Sequence, residues 1–434
     1  MLLLAIVVLS IITFTQSSAT LNVNGDGLAT VSEGNTVWAK TYGGSADDRA
    51  FYALRVDQNT LVTGSTKSLE NTTMGWLLML DSEGNLIWNQ TYLDGAGTEL
   101  RYATATSGGY ILVGNQFTAA GDVNGYVAKV DLTGTIIWQT IVGGDQIDKL
   151  FSGAVVSDGF IVCGLSYSYG TSGETAWAIK LDDAGHEVWN KIYSVDANSA
   201  LRSAVASSGG IVAAGYQSAS DSDGNCDFAL LKIASDGSLA WNKTYGDSNS
   251  QKAYSITSAL NGYVIVGDST SSSSNTDALV LRVDSEGSQI WSRTVGGSDY
   301  DSASYVTVGQ DGSYLVTGFT FSFGEGYRDF WLFSIADNGK VGFCTTYGNS
   351  SYQEAYAVID VDSNQYILVG WTDPLGQPDL VGKAHYDFYV VKLSAPEDNT
   401  GFTSIRSAST VAIGALLIVI ILLVVKLMRS KKQN

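Results

Sequence analysis

A bulky aromatic residue returns along this chain every 50–52 residues: Trp38, Trp88, Trp138, Trp189, Trp241 and Trp291, then Phe343 in the seventh place. A period of this length belongs to a propeller, a solenoid or an array, in which each repeat buries its apolar faces against its neighbours. Aligned on the aromatic, each repeat breaks into four short segments rich in branched and aromatic residues. In the first they are AFYALRV (50–56), TLVTGST (60–66), GWLLMLD (75–81) and LIWNQTY (86–92). Such segments, bounded by turn residues, read as β-strands. The third and fourth are joined by DSEGN, where Gly84 supplies the positive φ of a tight hairpin. The same turn recurs as DLTGT, DDAGH, ASDGS, DSEGS and ADNGK.

The first segment of each repeat is small-chained: YATA at 102–105, SGAV at 152–155, SAVA at 203–206 and AYSI at 253–256. Inner strands of a propeller crowd onto an axis, so small residues belong there. The repeats also start on a lone fourth segment, TVWAKTY (36–42), and stop on a lone third segment, YDFYVVKL (386–393). Pairing the two completes one unit and removes two exposed sheet edges. An open solenoid has no use for that complementarity. The chain is therefore expected to be all-β, a seven-bladed β-propeller of four-stranded blades closed by its N-terminal strand.

The flanks set an address. Met1 to Phe14 is apolar, and small residues at Ser17 and Ala19 suit a signal peptide (1–19) cleaved after Ala19. No positive n-region precedes the run, and an uncleaved N-terminal anchor is the alternative. Residues 20–35 read as an N-terminal spacer, 36–393 as the propeller and 394–406 as a polar stalk. Residues 407–425 carry no charge and are long enough for a transmembrane helix. Lys426, Arg429, Lys431 and Lys432 then predict a cytoplasmic basic tail (426–434). A cleaved sorting signal shares that basic end, but no LPXTG-like motif precedes it. The propeller is thus expected outside a cell membrane crossed once. A net charge of −19 excludes charge-driven binding to nucleic acid.

The segment TYGGSADDRAFYALRVDQNTLVTGSTKS resembles the repeat of secreted bacterial and archaeal β-propeller proteins of the SBBP type. TVGGSDYDSASYV…YLVTGFTFS and TYGDSNSQKAYSI…YVIVGDSTS repeat it. VDLTGTIIW resembles the tryptophan-docking motif of pyrroloquinoline-quinone propellers and, more loosely, the Asp-box of sialidases, and CDFALLKIASDGSLAW resembles delta-60 repeats. The resemblance covers about residues 36–393. It implies fold and a prokaryotic, archaeal-like surface; these motifs are structural and do not carry function.

Catalytic motifs are sparse. There is no G-x-S-x-G elbow, H-E-x-x-H or P-loop. Nothing matches a quinone pocket, so no PQQ is expected. Arg49, Arg55, Arg101, Arg202, Arg282, Arg293 and Arg328 read as scattered, with no shared position in the repeat. Acids recur at one loop position (Asp47/Asp48, Asp145/Asp148, Asp299/Asp301) and read as turn caps rather than catalysts. The odd cysteines Cys163, Cys226 and Cys344 imply no disulfide framework, and Cys163 reads as a small core residue. Asp221, Asp223, Asn225 and Asp227 alternate through DSDGNCD, a pattern that can wrap calcium or form a plain polar loop. Asn22, Asn24, Asp26, Gly27 and Glu33 approach EF-hand spacing without flanking helices, and read as spacer. N-glycosylation sequons stand at Asn71, Asn89, Asn242 and Asn349.

Loops between the second and third segments are long and variable, whereas the hairpins are short and alike. Variable loops on a rigid ring suit recognition. Tyr167, Tyr169, Phe321, Phe323 and Tyr327 in these loops are the candidate ligand face. The expected function is a non-enzymatic cell-surface binding or adhesion module for a glycan or protein partner. A secreted polysaccharide hydrolase or lyase using loop carboxylates is one alternative, and a structural envelope protein is another.

Overall fold

Antiparallel four-strand sheets repeat along the chain. In the first, Asp48–Val56, Asn59–Thr66, Met74–Leu80 and Leu86–Tyr92 pair in sequence order. The architecture comes from a computed structural model. It describes residues 19–23 and 29–33 by backbone alone. Side chains are described over 35–394 except 71, 171–172, 194–197, 219–224, 248, 271–274, 325–326, 350, 363 and 374–384. Blades 2 to 6 occupy 97–142, 148–192, 199–245, 250–296 and 301–347. Blade 7 combines Gln353–Asp362, Gln365–Thr372 and Asp387–Ser394 with Asn35–Tyr42, which pairs antiparallel from Asn35↔Ser394 to Tyr42↔Phe388. The described residues thus form seven blades, and the ring closes as the two incomplete repeats required. Each first strand packs against the first strand of the next blade, and that of blade 7 against that of blade 1.

The outer strand of one blade clamps the hairpin of the next. Trp38 Nε1 donates to the Ser82 carbonyl at 3.1 Å, Trp138 to Asp183 at 3.0 Å, Trp189 to Ser235 at 2.9 Å and Trp291 to Asp337 at 2.8 Å. Four residues beyond the tryptophan, the Tyr42, Tyr92, Tyr193 and Tyr245 hydroxyls donate to the carbonyls of Gly84, Gly134, Gly237 and Gly287. These hairpin glycines hold φ of 72–81°, and a Cβ on Gly84 would meet the Trp38 ring about 2.7 Å away. Glycine is therefore required twice, for its left-handed backbone and for the aromatic face laid over it. Blade 7 has no such hairpin, because its third and fourth strands come from opposite ends of the repeat array. There Phe343 replaces tryptophan and lies 5.4 Å from Tyr366, while the Tyr347 and Tyr389 hydroxyls bond at 2.8 Å.

Within residues 20–35, expected as a spacer, the described residues contribute strand backbone. Ala19–Val23 and Ala29–Glu33 pair with each other. The first also pairs antiparallel with the outer strand of blade 5 (Asn22↔Gly296), and the second parallel with that of blade 6 (Val31↔Cys344). Open outer edges of two blades offer the unpaired backbone groups that recruit such strands. Cys163, Cys226 and Cys344 are buried free thiols, and burial pushes Cys163 up to about 12. Among the described residues no helix is long and apolar enough to cross a membrane; residues 1–18 and 395–434 lie outside them.

The docking contact can be separated from backbone strain. Gly84 and Gly108 share a left-handed φ (72° and 78°), but nothing lies within 4 Å of a Cβ placed on Gly108. Gly108→Ala should cost about 1–2 kcal/mol in chemical denaturation. Gly84→Ala should cost a further ~1–3 kcal/mol, because it also displaces Trp38. Equal losses would show that the aromatic face does not depend on the missing Cβ.

Candidate ligand cavity on the propeller axis

Every first strand carries a bulge at one position. The register skips Phe51, Arg101, Phe151, Arg202, Tyr254, Ser304 and Tyr356 in blades 1 to 7. A bulge re-aims the extra side chain out of the sheet alternation. All seven of these residues line one cavity of about 320 Å³ on the axis. Below them Tyr52 packs 4.6 Å from Tyr102 and 5.7 Å from Tyr305, so rings from blades 1, 2 and 6 meet across the channel. Above them the wall includes Asp268, Ser302, Phe319, Glu354 and the inter-blade loop residue Tyr300.

The recurring acid shows which face this is. Asp48, Asp148 and Asp301 are buried at the starts of their first strands. Each carboxylate accepts from an inter-blade glycine N–H (Gly44, Gly144, Gly297) and from a serine just past the second strand (Ser68, Ser168, Ser322), all at 2.6–2.9 Å. One side chain thus ties the inter-blade loop to the long loop between strands two and three. Both loop sets share the face on which the cavity lies, and the acids are caps, as their recurrence implied.

Charge in the cavity is uneven. Arg101 lies over Phe51 at 4.0 Å and bonds Glu99 at 2.8 Å. Arg202 lies over Phe151 at the same 4.0 Å, with Tyr254 at 5.8 Å, but among the described residues neither a hydrogen bond nor an ion pair reaches it. Glu174, whose charge it feels, is bonded to the hydroxyls of Tyr216 (2.7 Å) and Tyr167 (3.1 Å). Burial, with the Arg101 charge adding, pulls Arg202 below the usual arginine range. A guanidinium still stays protonated, so an uncompensated cation faces the cavity. On the other wall, Arg328 bonds Glu354 at 2.5 Å and lies 4.0 Å over Phe319. Asp268 accepts from Ser302 Oγ at 2.6 Å and Tyr300 at 3.3 Å, and burial pushes its carboxyl up to about 7.

The arginines read as scattered are therefore corrected: Arg101 and Arg202 hold the same place in their repeats, and only the bulge makes that place an axial one. The proposed ligand-face aromatics do not line the cavity. Phe323 is buried against Trp331 in the core between blades 5 and 6, so it presents nothing to a ligand. Tyr167 is spent on Glu174, Tyr169 bonds the Gly143 carbonyl at 2.7 Å, and Phe321 stacks on Tyr300 at 6.1 Å. Tyr327 is exposed and stacks on Tyr352 at 5.4 Å. Asp221 and Asp223 lie outside the described residues, Asn225 is exposed, and Asp227 opens a strand opposite Gln217. Among the described residues no group of three or more His, Cys, Asp or Glu could hold a metal ion. Of the sequons, Asn89 and Asn349 are exposed, Asn242 is half-buried and Asn71 lies outside the described residues.

No protein-family model matches the chain, and no curated protein does. Solved structures similar to it include the WD40 domain of coronin from Toxoplasma gondii, 12% identical, with a TM-score of 0.47 over 85% of this chain and 89% of that one. Sqt1 from Chaetomium thermophilum is 11% identical, with a TM-score of 0.44 over 84% of this chain and all of that one. The β-propeller domain of the Trilobed protease from Pyrococcus furiosus is 10% identical, with a TM-score of 0.44 over 84% and 99%. Likeness at this level assigns no ligand or activity.

Asp268 gives the site a pH signature. Its folded pKa of about 7 stands above the ordinary 3.8, so its contribution is fully present below pH 4 and is lost as pH rises toward 7. The loss should be on the order of 4 kcal/mol. Asp268→Asn removes the ionisation, so its stability relative to wild type should rise between pH 4 and 8. Parallel pH–stability profiles would show that the carboxyl ionises freely.

Proposed function

We propose that this chain is a non-enzymatic cell-surface binding module. It presents the loop-rich face of the propeller, with the axial cavity at its centre, to a glycan or protein partner. The observation that carries the reading is Arg202, a cation that among the described residues forms no ion pair or hydrogen bond, in an aromatic-lined cavity. Arg202 is half-buried at the cavity wall, and a guanidinium without a hydrogen-bonded protein partner there is open to pairing with a ligand anion. The cavity also has the features of a binding site: concave, largely aromatic and furnished with a few polar groups. The resemblance to SBBP-type repeats, the apolar start of the chain and the uncharged 407–425 stretch support a place at a prokaryotic surface.

A second reading, hydrolysis of a polysaccharide, draws on the two carboxyl groups, Asp268 and Glu354, in one cavity. Their surroundings favour binding over turnover. Glu354 is paired with Arg328, and Asp268 accepts from Ser302 and Tyr300, so both carboxyls already have protein partners.

Glycan and envelope-extract screens with the full-length protein should return a ligand that is lost in the Arg101→Gln/Arg202→Gln double variant. Undiminished capture by a normally folded double variant would move recognition off the axis. Release of sugar from the same glycans would favour the hydrolase. Protease applied to intact cells should liberate a fragment of nearly full size, and protection of the propeller would overturn the surface location.

A further inference from the structure

The cavity chemistry points further, to its ligand. Resting on the binding reading above, we propose that the axial cavity takes one acidic sugar ring, a hexuronate or similar carboxylated monosaccharide unit, with the carboxylate held by Arg202. The charge argument comes first. In a chain of net charge −19, Arg101 and Arg202 face the cavity, and Arg328 stands behind its wall. Arg101 is matched by Glu99 and Arg328 by Glu354, which leaves Arg202 alone to be matched from outside. One unmatched guanidinium suits one negative charge, and its planar fork suits a carboxylate. A dianionic phosphate would face Glu354 and Asp268 across the same small space.

The rest of the wall separates a sugar from other carboxylates. A cavity of about 320 Å³ has room for a single ring of that kind. Phe51 and Phe151 already carry a guanidinium on one face each. The remaining wall is rich in acceptors and hydroxyls: Asp268, Glu354, Ser304, Tyr254 and Tyr356. The hydroxyls among them can exchange hydrogen bonds with a ligand, and polar groups that a ligand leaves unpaired are penalised. An aromatic acid such as benzoate offers no donors. A hydroxylated ring offers several, and its C–H faces suit the aromatic lining.

The test is calorimetry or ligand-observed NMR on the full-length protein in detergent, with D-glucuronate, its neutral twin D-glucuronamide, D-glucose and benzoate as probes. Glucuronate should bind at least tenfold more tightly than any of the other three. Arg202→Gln should weaken glucuronate at least tenfold without moving the melting temperature much. Arg55→Gln should change nothing, since Arg55 bonds the Asp57 and Asp360 carbonyls away from the cavity. Equal affinity for glucuronamide or glucose would overturn the carboxylate assignment. Benzoate binding as tightly would overturn the sugar. Absence of glucuronate binding to the wild-type protein would overturn the proposal outright, whatever the variants do. An Arg202-dependent ligand of another class from the envelope screen would reject the acidic sugar and leave the binding module standing.

Discussion

The structure rests on a tryptophan face laid over a glycine. In six of the seven joints, the aromatic of one outer strand covers the hairpin glycine of the next blade, and an indole N–H or a tyrosine hydroxyl donates to a hairpin carbonyl. Blade–blade contact in a propeller is otherwise non-directional apolar packing, which sets distance but not register. The docking pair adds a directional bond at the periphery, where adjacent blades diverge. It also couples two residues roughly 45 apart, a hairpin's glycine and the preceding blade's aromatic, so neither can change alone. The joint that lacks it is the one where closure removes the hairpin, and there a Phe343–Tyr366 contact and a Tyr347–Tyr389 bond stand in.

With the rim held this way, the centre is free to vary. The inner strands meet at small residues such as Ala53, Ala103 and Ala204, which are buried. The bulge beside them gives each blade one side chain that answers to the axis rather than to the sheet. Seven such positions carry four aromatic residues, two arginines and one serine, while the buried caps Asp48, Asp148 and Asp301 keep the loops around them in place. Rigid framework and variable centre are thereby assigned to different positions of the same strand.

The acidity of the chain gives the centre its meaning. Acidic residues on the surface repel other anions over distances set by salt. The guanidiniums at the cavity are instead stacked on Phe51, Phe151 and Phe319. Selectivity in such a site comes from local hydrogen-bond matching more than from long-range steering.

The sequence by itself determined the repeat, its four strands, the blade number and the closure, because these are set by local patterning: strand alternation, turn glycines and two incomplete ends. It also disclosed the acidic caps, whose recurrence at a turn has a local cause. What it did not disclose is where side chains go once a strand departs from regular alternation. Arg101 and Arg202 each directly precede a small-chained segment, YATA and SAVA, but those segments look like mere packing. The bulge leaves no composition signal, yet it turns one residue per blade onto the axis, where residues about 50 or more apart become neighbours. The same blindness to tertiary packing made Phe323 look like a loop aromatic, although it is buried against Trp331. It also made residues 20–35 look like a spacer, although two strands there pair with the outer edges of blades 5 and 6. Periodicity is a property of the chain; convergence on an axis is a property of the closed ring.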